Sequence, residues 1–331
     1  MNTVRWGIIG CGNVTERKSG PAFNQAEGSS LQAVMRRSAD KARDYARRHQ
    51  VPAWYSDADQ LIQDPDVDAI YIATPPDSHA YYAFKAADAG KPAYVEKPMA
   101  RTAAECEQIC RVFEEKSLPL FVAYYRRRLP TFLKVKELID QNAVGPILGV
   151  HIKLFKAAKP EDYNSKDLPW RLIQSKAGGG YFYDLASHQL DILDYVFGPV
   201  VRAGGVATNR GGLYEVEDTV HAAFRFSSGV SGTGEWCFVT DEHDQADEIE
   251  ITGSKGTIRL ATFEVKPVQV TVQGHKKEYA FERPDPIQGP LVQTVVDELR
   301  GRGQCPSTGR TALRTNRVME EIVYGTGMPA N

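Results

Sequence analysis

Six short apolar runs recur through the first 123 residues, at 4–9, 31–35, 53–55, 68–73, 91–95 and 119–123, with polar, helix-length stretches between most of them. Alternation of this kind leaves few folds open: parallel strands in one sheet, joined by helices that cover its faces. The intervening stretches agree with that. Residues 40–49 turn Ala42, Tyr45 and Ala46 inward, Ser56 is placed to cap a helix over 56–63, and a helix over 78–89 stops at Gly90. A helix over 102–116 sets Ala103, Cys106, Ile109, Cys110 and Phe113 on one stripe.

The corners between these elements carry the chemistry. Gly10, Cys11, Gly12, Asn13, Val14 and Thr15 follow the first strand at once. Two glycines allow a tight turn and let the backbone approach a pyrophosphate seated on a helix start. Glycines also occur at such corners for backbone reasons alone. The position directly after the first strand, about twenty residues before the second, favours a nucleotide. The second strand ends in Met35, Arg36, Arg37 and Ser38, with Lys41 and Arg43 behind. An acidic residue there would bond the ribose of NAD, whereas Arg accommodates the 2′-phosphate of NADP. Arg36 and Arg37 therefore point to NADP(H), with NAD(H) possible; Lys41 and Arg43 read as a solvated helix start. Thr74 and Pro75 begin a stiff loop after the fourth strand, and Glu96, Lys97 and Pro98 end the fifth. Ligands of open α/β sheets sit outside such carboxyl ends, so Lys97 can touch a cofactor and a substrate together.

The second half reads differently. A helix over 129–142 leads to a strand over 147–155, and a Lys-, Asp- and Pro-rich loop ends at Pro169, Trp170 and Arg171. After Gly178, Gly179 and Gly180 comes a helix over 184–197, closed by Gly198 and Pro199. About seven alternating strands span 200–279, separated by turn signals, and helices over 288–300 and 308–324 follow. The fold class is thus α/β: an N-terminal dinucleotide-binding Rossmann domain over 1–124, and over 125–331 an α+β substrate-binding and oligomerisation domain with a large, mostly antiparallel open sheet. The uncovered face of that sheet is a candidate interface for a homodimer or homotetramer. Asp184 and His188, four apart on a helix, share a face; a carboxylate beside an imidazole orients it for acid–base work. The bland alternative makes Asp184 a cap and His188 a satisfied buried histidine.

Composition narrows the classes. A length of 331 residues suggests two domains. A net charge of −2 gives no basic excess for nucleic acid or an anionic membrane. No apolar run approaches the roughly 18 residues that span a bilayer, and the N-terminus leads straight into a strand. A cytoplasmic enzyme is expected. The five cysteines are scattered and show no zinc spacing, so no metal is expected.

Four motifs together resemble the glucose–fructose oxidoreductase / inositol dehydrogenase (Gfo/Idh/MocA) family: Gly10-x-Gly12-Asn13-Val14; Ala73-Thr74-Pro75-Pro76-x-x-His79; Glu96-Lys97-Pro98; and Gly178-Gly179-Gly180-x-x-x-Asp184-x-x-x-His188. The resemblance covers nearly the whole chain, including the stretch from Thr308 to Arg314. It implies NAD(P)-dependent hydride transfer on a sugar, keto-sugar, polyol or dihydrodiol-type substrate, and pairing through the large sheet. It makes Lys97 the lysine near the reacting oxygen, His188 the acid–base and Asp184 its partner or a ligand of a substrate hydroxyl. Glu96 is implied to lie near the nicotinamide ribose, the Lys97–Pro98 peptide to be cis, and Trp170 and Arg171 to cover the cofactor. Thr74, Pro75 and His79 are implied to line the cofactor. Two positions depart from the family pattern: Tyr125, where many members have Asn, and Thr15, where a small residue is usual. A non-catalytic NAD(P)-sensing binding protein of the same fold is the alternative; it need not keep Lys97, Asp184 and His188 together.

Overall fold

Val4, Trp6, Ile8 and Ile9 are wholly buried in the first strand, β1 (Val4–Ile9), as befits a strand covered on both faces. The computed structural model describes residues 2–325. Among them the strands form two sheets, of six and of eight. The first holds β1, β2 (Ser29–Met35), β3 (Ala53–Tyr55), β4 (Ala69–Ile72), β5 (Ala93–Val95) and β6 (Leu120–Val122), in the order β3-β2-β1-β4-β5-β6 with every pair parallel. The order reverses between β1 and β4, the crevice at which such sheets bind ligands. The expected crossover helices are present, including Ala39–His49 and Ala103–Glu115. Thr102 caps the latter by accepting the Glu105 N–H, and Cys106 and Cys110 lie on its buried stripe. Beneath the carboxyl end of the sheet, Trp6, Phe23, Tyr71 and Tyr94 form an aromatic cluster in which the Tyr71 and Tyr94 rings stack, centroids 5.1 Å apart.

The second sheet holds β7 (Ile147–Ala157), β8 (Val200–Thr208), β9 (Thr219–Phe226), β10 (Ser231–Thr240), β11 (Ala246–Gly253), β12 (Gly256–Leu260), β13 (Val268–Val272) and β14 (His275–Tyr279), in the order β14-β13-β12-β11-β7-β10-β9-β8. β7 and β10 run parallel; the other pairs are antiparallel. Among the described residues seven of these strands fall in the stretch after residue 199 where about that many were read from alternation. Period-two burial is clear in β7, where Val150, Ile152 and Leu154 are buried while His151, Lys153 and Phe155 are part-exposed. Helix Ser187–Phe197 covers the buried face through Gln189, which accepts from Trp236 Nε1 at 2.7 Å, and through Phe197 on Phe226. On the other face His151 meets Thr233 and Glu235.

One unit takes in the chain up to Leu129 together with Arg283–Leu313; the other takes Pro130–Glu282 and the stretch from Arg314 on. Helix Gly289–Leu299 buries Leu291, Val292, Val295 and Val296 against helix Ala22–Gln25 and the turn Tyr125–Arg128 of the first unit. An amphipathic pattern shows that a helix has a buried face, not which core it joins.

Candidate functional site

In the first unit the glycine corner is stitched to the end of β2. The amides of Gly10 and Cys11 both donate to Met35 O, at 2.9 and 3.2 Å. Gly10 has φ +91°, and a Cβ there would lie 2.7 Å from Thr74 Cγ2 and 3.0 Å from Thr74 N. Only glycine lets β1 turn this close to the end of β4. Gly12, Asn13 and Val14 pass into helix Asn13–Arg17. Thr15 is accommodated without strain: it is buried, its hydroxyl donates to Gly12 O at 2.8 Å, and its carbonyl accepts from Tyr45. Cys11 is buried, and burial pushes its thiol up to about 11, so its contribution to a ligand is through the backbone. Arg36 is half-buried, with Nη1 donating to Cys11 O at 3.3 Å; Arg37 is exposed.

Thr74 accepts from the Ser78 hydroxyl, and Pro75 is half-buried beside it. His79 is wholly buried, Nε2 faces Thr74 O at 2.7 Å, and Nδ1 faces Pro98 O and Met99 O at 3.1 and 3.2 Å. Both ring nitrogens face backbone carbonyls, so the ring braces the two loops. Burial lowers its pKa and outweighs the carbonyl oxygens, which favour the charged ring.

Glu96 sits at the end of β5, 8% exposed, in a network that periodicity does not reveal. Tyr71 donates to its Oε1 at 2.6 Å, Gln288 Nε2 to the same oxygen at 2.7 Å, and the Lys97 amide to Oε2 at 3.1 Å. Burial, with Glu96 close by, pushes the Tyr71 phenol well above its ordinary range, so it remains a donor. Lys97 is half-buried, and the Lys97–Pro98 peptide is cis. Tyr125 is buried, with the Arg126 guanidinium 5.0 Å from its ring centroid.

In the second unit the glycines serve close packing. A Cβ on Gly179 would lie 2.1 Å from the Tyr183 ring, and one on Gly180 would lie 2.8 Å from Val216 Cγ2. The helix expected over 184–197 is two elements, a π turn over Phe182–Ala186 and an α-helix over Ser187–Phe197. Asp184 lies in the π turn and His188 in the α-helix, so the spacing rule of a single α-helix does not apply across the junction. Such turns recur at functional sites, and a 3.6-residue pattern does not foretell them. Arg171 Nε donates to Asp184 Oδ2 at 3.0 Å, and its guanidinium covers the Trp170 ring, 4.3 Å from the centroid. His188 is 4% exposed and meets Phe263 edge-on, centroids 6.0 Å apart. Phe263 was not foreseen. Asp247, itself buried, places it by accepting the N–H groups of Thr262, Phe263 and Glu264.

Among the described residues no group of three or more His, Cys, Asp or Glu side chains is set to hold a metal ion. None of the described helices is long and apolar enough to cross a membrane. The residues present fit a dinucleotide: a glycine corner with no room for a Cβ at Gly10, at the reversal of strand order, with a guanidinium beside it.

Comparison with known proteins agrees. Residues 4–124 match the "Oxidoreductase family, NAD-binding Rossmann fold", and residues 132–259 match the "GFO/IDH/MocA C-terminal domain". Oxidoreductase P35 of Formosa agariphila is 36% identical over 325 residues, spanning 98% of this chain and 99% of that protein. Levoglucosan dehydrogenase of Pseudarthrobacter phenanthrenivorans is 30% identical over 247 residues, 67% of this chain and 61% of that protein. A solved structure of levoglucosan dehydrogenase with NADH and levoglucosan superposes with a TM-score of 0.86 at 23% identity, covering 97% of this chain and 96% of that one, a likeness of fold. The chain is an NAD-binding oxidoreductase of the Gfo/Idh/MocA family.

Proposed function

We propose that this enzyme prefers NADP(H) and acts on a sugar, keto-sugar, cyclic polyol or dihydrodiol-type compound at a carbinol or carbonyl carbon. The observation that carries the cofactor preference is at the end of β2. Arg36 occupies the place where an NAD enzyme sets a carboxylate, and its guanidinium is fastened to the glycine corner through Cys11 O. The names of the relatives support a cyclic, hydroxyl-bearing substrate. Gly10, Cys11, Gly12, Asn13 and Val14 hold the pyrophosphate through backbone, Arg36 and Arg37 the 2′-phosphate, Thr74 and Pro75 the edge of the crevice, and Glu96 the nicotinamide ribose. The nicotinamide, when bound, takes up or supplies the hydride.

The chain contributes proton handling and electrostatics. Lys97 polarises the reacting oxygen. In oxidation the substrate hydroxyl proton passes to His188; in reduction His188 returns it to the carbonyl oxygen. Phe263 fixes one side of the imidazole. Asp184, held by Arg171, accepts from a substrate hydroxyl, and Trp170 shields the pair. The face of the second sheet that carries His151 and Glu235 serves pairing into a homodimer or homotetramer.

The test is a panel of sugars, polyols and dihydrodiols, run in both directions with NADP(H) and with NAD(H) and followed at the reduced-nicotinamide absorbance band. Turnover with NADP(H) at a higher kcat/KM than with NAD(H), on a cyclic polyhydroxyl substrate, is the expected result. A higher kcat/KM with NAD(H) overturns the preference.

A further inference from the structure

A buried glutamine must find partners for both ends of its amide. Gln288, the residue before helix Gly289–Leu299, is 1% exposed and finds both. Its Nε2 donates to Glu96 Oε1 at 2.7 Å, and its Oε1 accepts from the Tyr94 hydroxyl at 2.9 Å. Its backbone N–H donates to Lys18 O at 3.0 Å, at the end of the short helix that leaves the glycine corner. One residue, far from the first unit's motifs in sequence, therefore ties the end of β5 to the segment after Gly10–Val14.

The amide has one workable orientation. An ionised carboxylate offers no proton, so the face toward Glu96 must be the NH₂. The Tyr94 phenol, pushed well above its ordinary range by burial and by Glu96, supplies the proton that Oε1 accepts. Among the described residues the donors around Glu96 divide unevenly: Tyr71 and Gln288 both address Oε1, and the Lys97 amide addresses Oε2. A carboxylate has roughly four acceptor directions, so this arrangement leaves Oε2 the oxygen able to receive one donor more.

We propose that Gln288 is a positioning residue for the nicotinamide cofactor: it clamps Glu96 Oε1 so that Oε2 is presented to a ribose hydroxyl. The proposal rests on the reading of Glu96 as the nicotinamide-ribose contact. Leucine at this position gives no donor, and glutamate sets a second carboxylate against the first. Only a group that donates toward Glu96 while accepting from Tyr94 fills the role.

The experiment measures dissociation constants for NADPH and NADH by titration calorimetry, with thermal midpoints, on wild type, Gln288→Leu, Gln288→Glu and Glu96→Ala between pH 6 and pH 8. Loss of a hydrogen bond to a charged group corresponds to about ten- to a hundredfold, and Gln288→Leu should weaken both cofactors by that order at every pH. Gln288→Glu should be weakened at least as much at pH 8. Two adjoining carboxylates raise one pKa, so toward pH 6 the pair takes up a shared proton, a donor faces Glu96 again, and affinity should return toward wild type. The other titratable or charged groups around Glu96 and the rings beside it are Tyr71, Tyr94, His79, Tyr125, Cys305, Lys18, Lys97 and Arg126. They are common to both proteins, so the difference between the two pH profiles isolates position 288. A residue needed for folding alone would lower the midpoint without this recovery. Wild-type affinity in Gln288→Leu, or a Gln288→Glu profile parallel to wild type, overturns the proposal. Glu96→Ala binding as wild type while Gln288→Leu does not would overturn the placing of Glu96 at the ribose, and the proposal with it.

Discussion

Arg171 Nε donates to Asp184 Oδ2 at 3.0 Å while its guanidinium rests on Trp170, so one side chain joins the loop after β7 to the π turn. The pair is part-exposed, with side chains 41% and 20% accessible. Arg171→Ala should therefore move stability by no more than about 1 kcal/mol. Its effect belongs to substrate binding: KM should rise about tenfold with the thermal midpoint nearly unchanged, an amount equal to one hydrogen bond to a charged group. A midpoint that collapses with KM intact would make the pair a structural tie only.

Cofactor choice should follow Arg36. Arg36→Ala should weaken NADPH by about ten- to a hundredfold and NADH little, since a charge-assisted bond to the 2′-phosphate is lost. Arg37, exposed where Arg36 is half-buried, should show the smaller loss. Equal losses for both cofactors would place the phosphate elsewhere. The check is the dissociation constant of each cofactor for each single mutant and the double mutant.

Lys97 ends a strand and fills no core. Lys97→Met should keep the thermal midpoint and lose on the order of a hundredfold or more in kcat, as expected when a donor to developing charge is removed. Near-normal kcat would sink its assigned role.

His188→Asn should lose about 10²–10⁴ in kcat and still bind cofactor, the range attributed to general acid–base catalysis. The pH–rate profiles of mutant and wild type should differ in shape. If they superimpose, another group moves the proton.

Glu16 offers a test on the acid side. Arg48 donates to both its oxygens at 2.8 Å and His49 meets it at 2.8 Å, and these hydrogen bonds hold its carboxyl at about 2 instead of 4.5. A lowered folded-state value contributes stability above the unfolded value and loses it as pH falls through the folded one. Glu16→Gln should cost up to about 1 kcal/mol at pH 7, discounted because the pair is part-exposed. That cost should shrink as pH falls from about 4.5 toward 2. Urea unfolding at pH 7 and pH 3 measures it; a constant difference would rule the linkage out.

Local rules reach the parts of this molecule that local sequence controls. The strand ends that carry Gly10, Arg36 and Lys97 are legible because a buried parallel strand is an unbroken apolar run and its corner needs glycine. Asp184 and His188 are legible as candidates, but their geometry is not, because a π turn differs from an α turn by one inserted residue that no polarity pattern marks. Gln288 and Phe263 are invisible for another reason. Each acts through side-chain contacts with partners far along the chain, 192 residues for Gln288 and Glu96, and such contacts leave no periodic trace. The loop-bracing contacts of His79 are not legible either, because a motif says that a histidine belongs at a place, not what its ring nitrogens face. The packing of residues 283–313 with the first unit left no trace either, since the apolar stripe of helix Gly289–Leu299 suits either core.

The return of residues 283–313 to the first unit sets an order on biosynthesis. Chains leave the ribosome at about 5–20 residues per second, so the carboxylate of Glu96 emerges roughly 10–40 s before the amide that clamps it. A nascent chain released at residue 282 would hold all six strands of the nucleotide sheet and still lack Gln288. Competence to bind cofactor should therefore be among the last properties acquired during translation, although its motifs are among the first residues made.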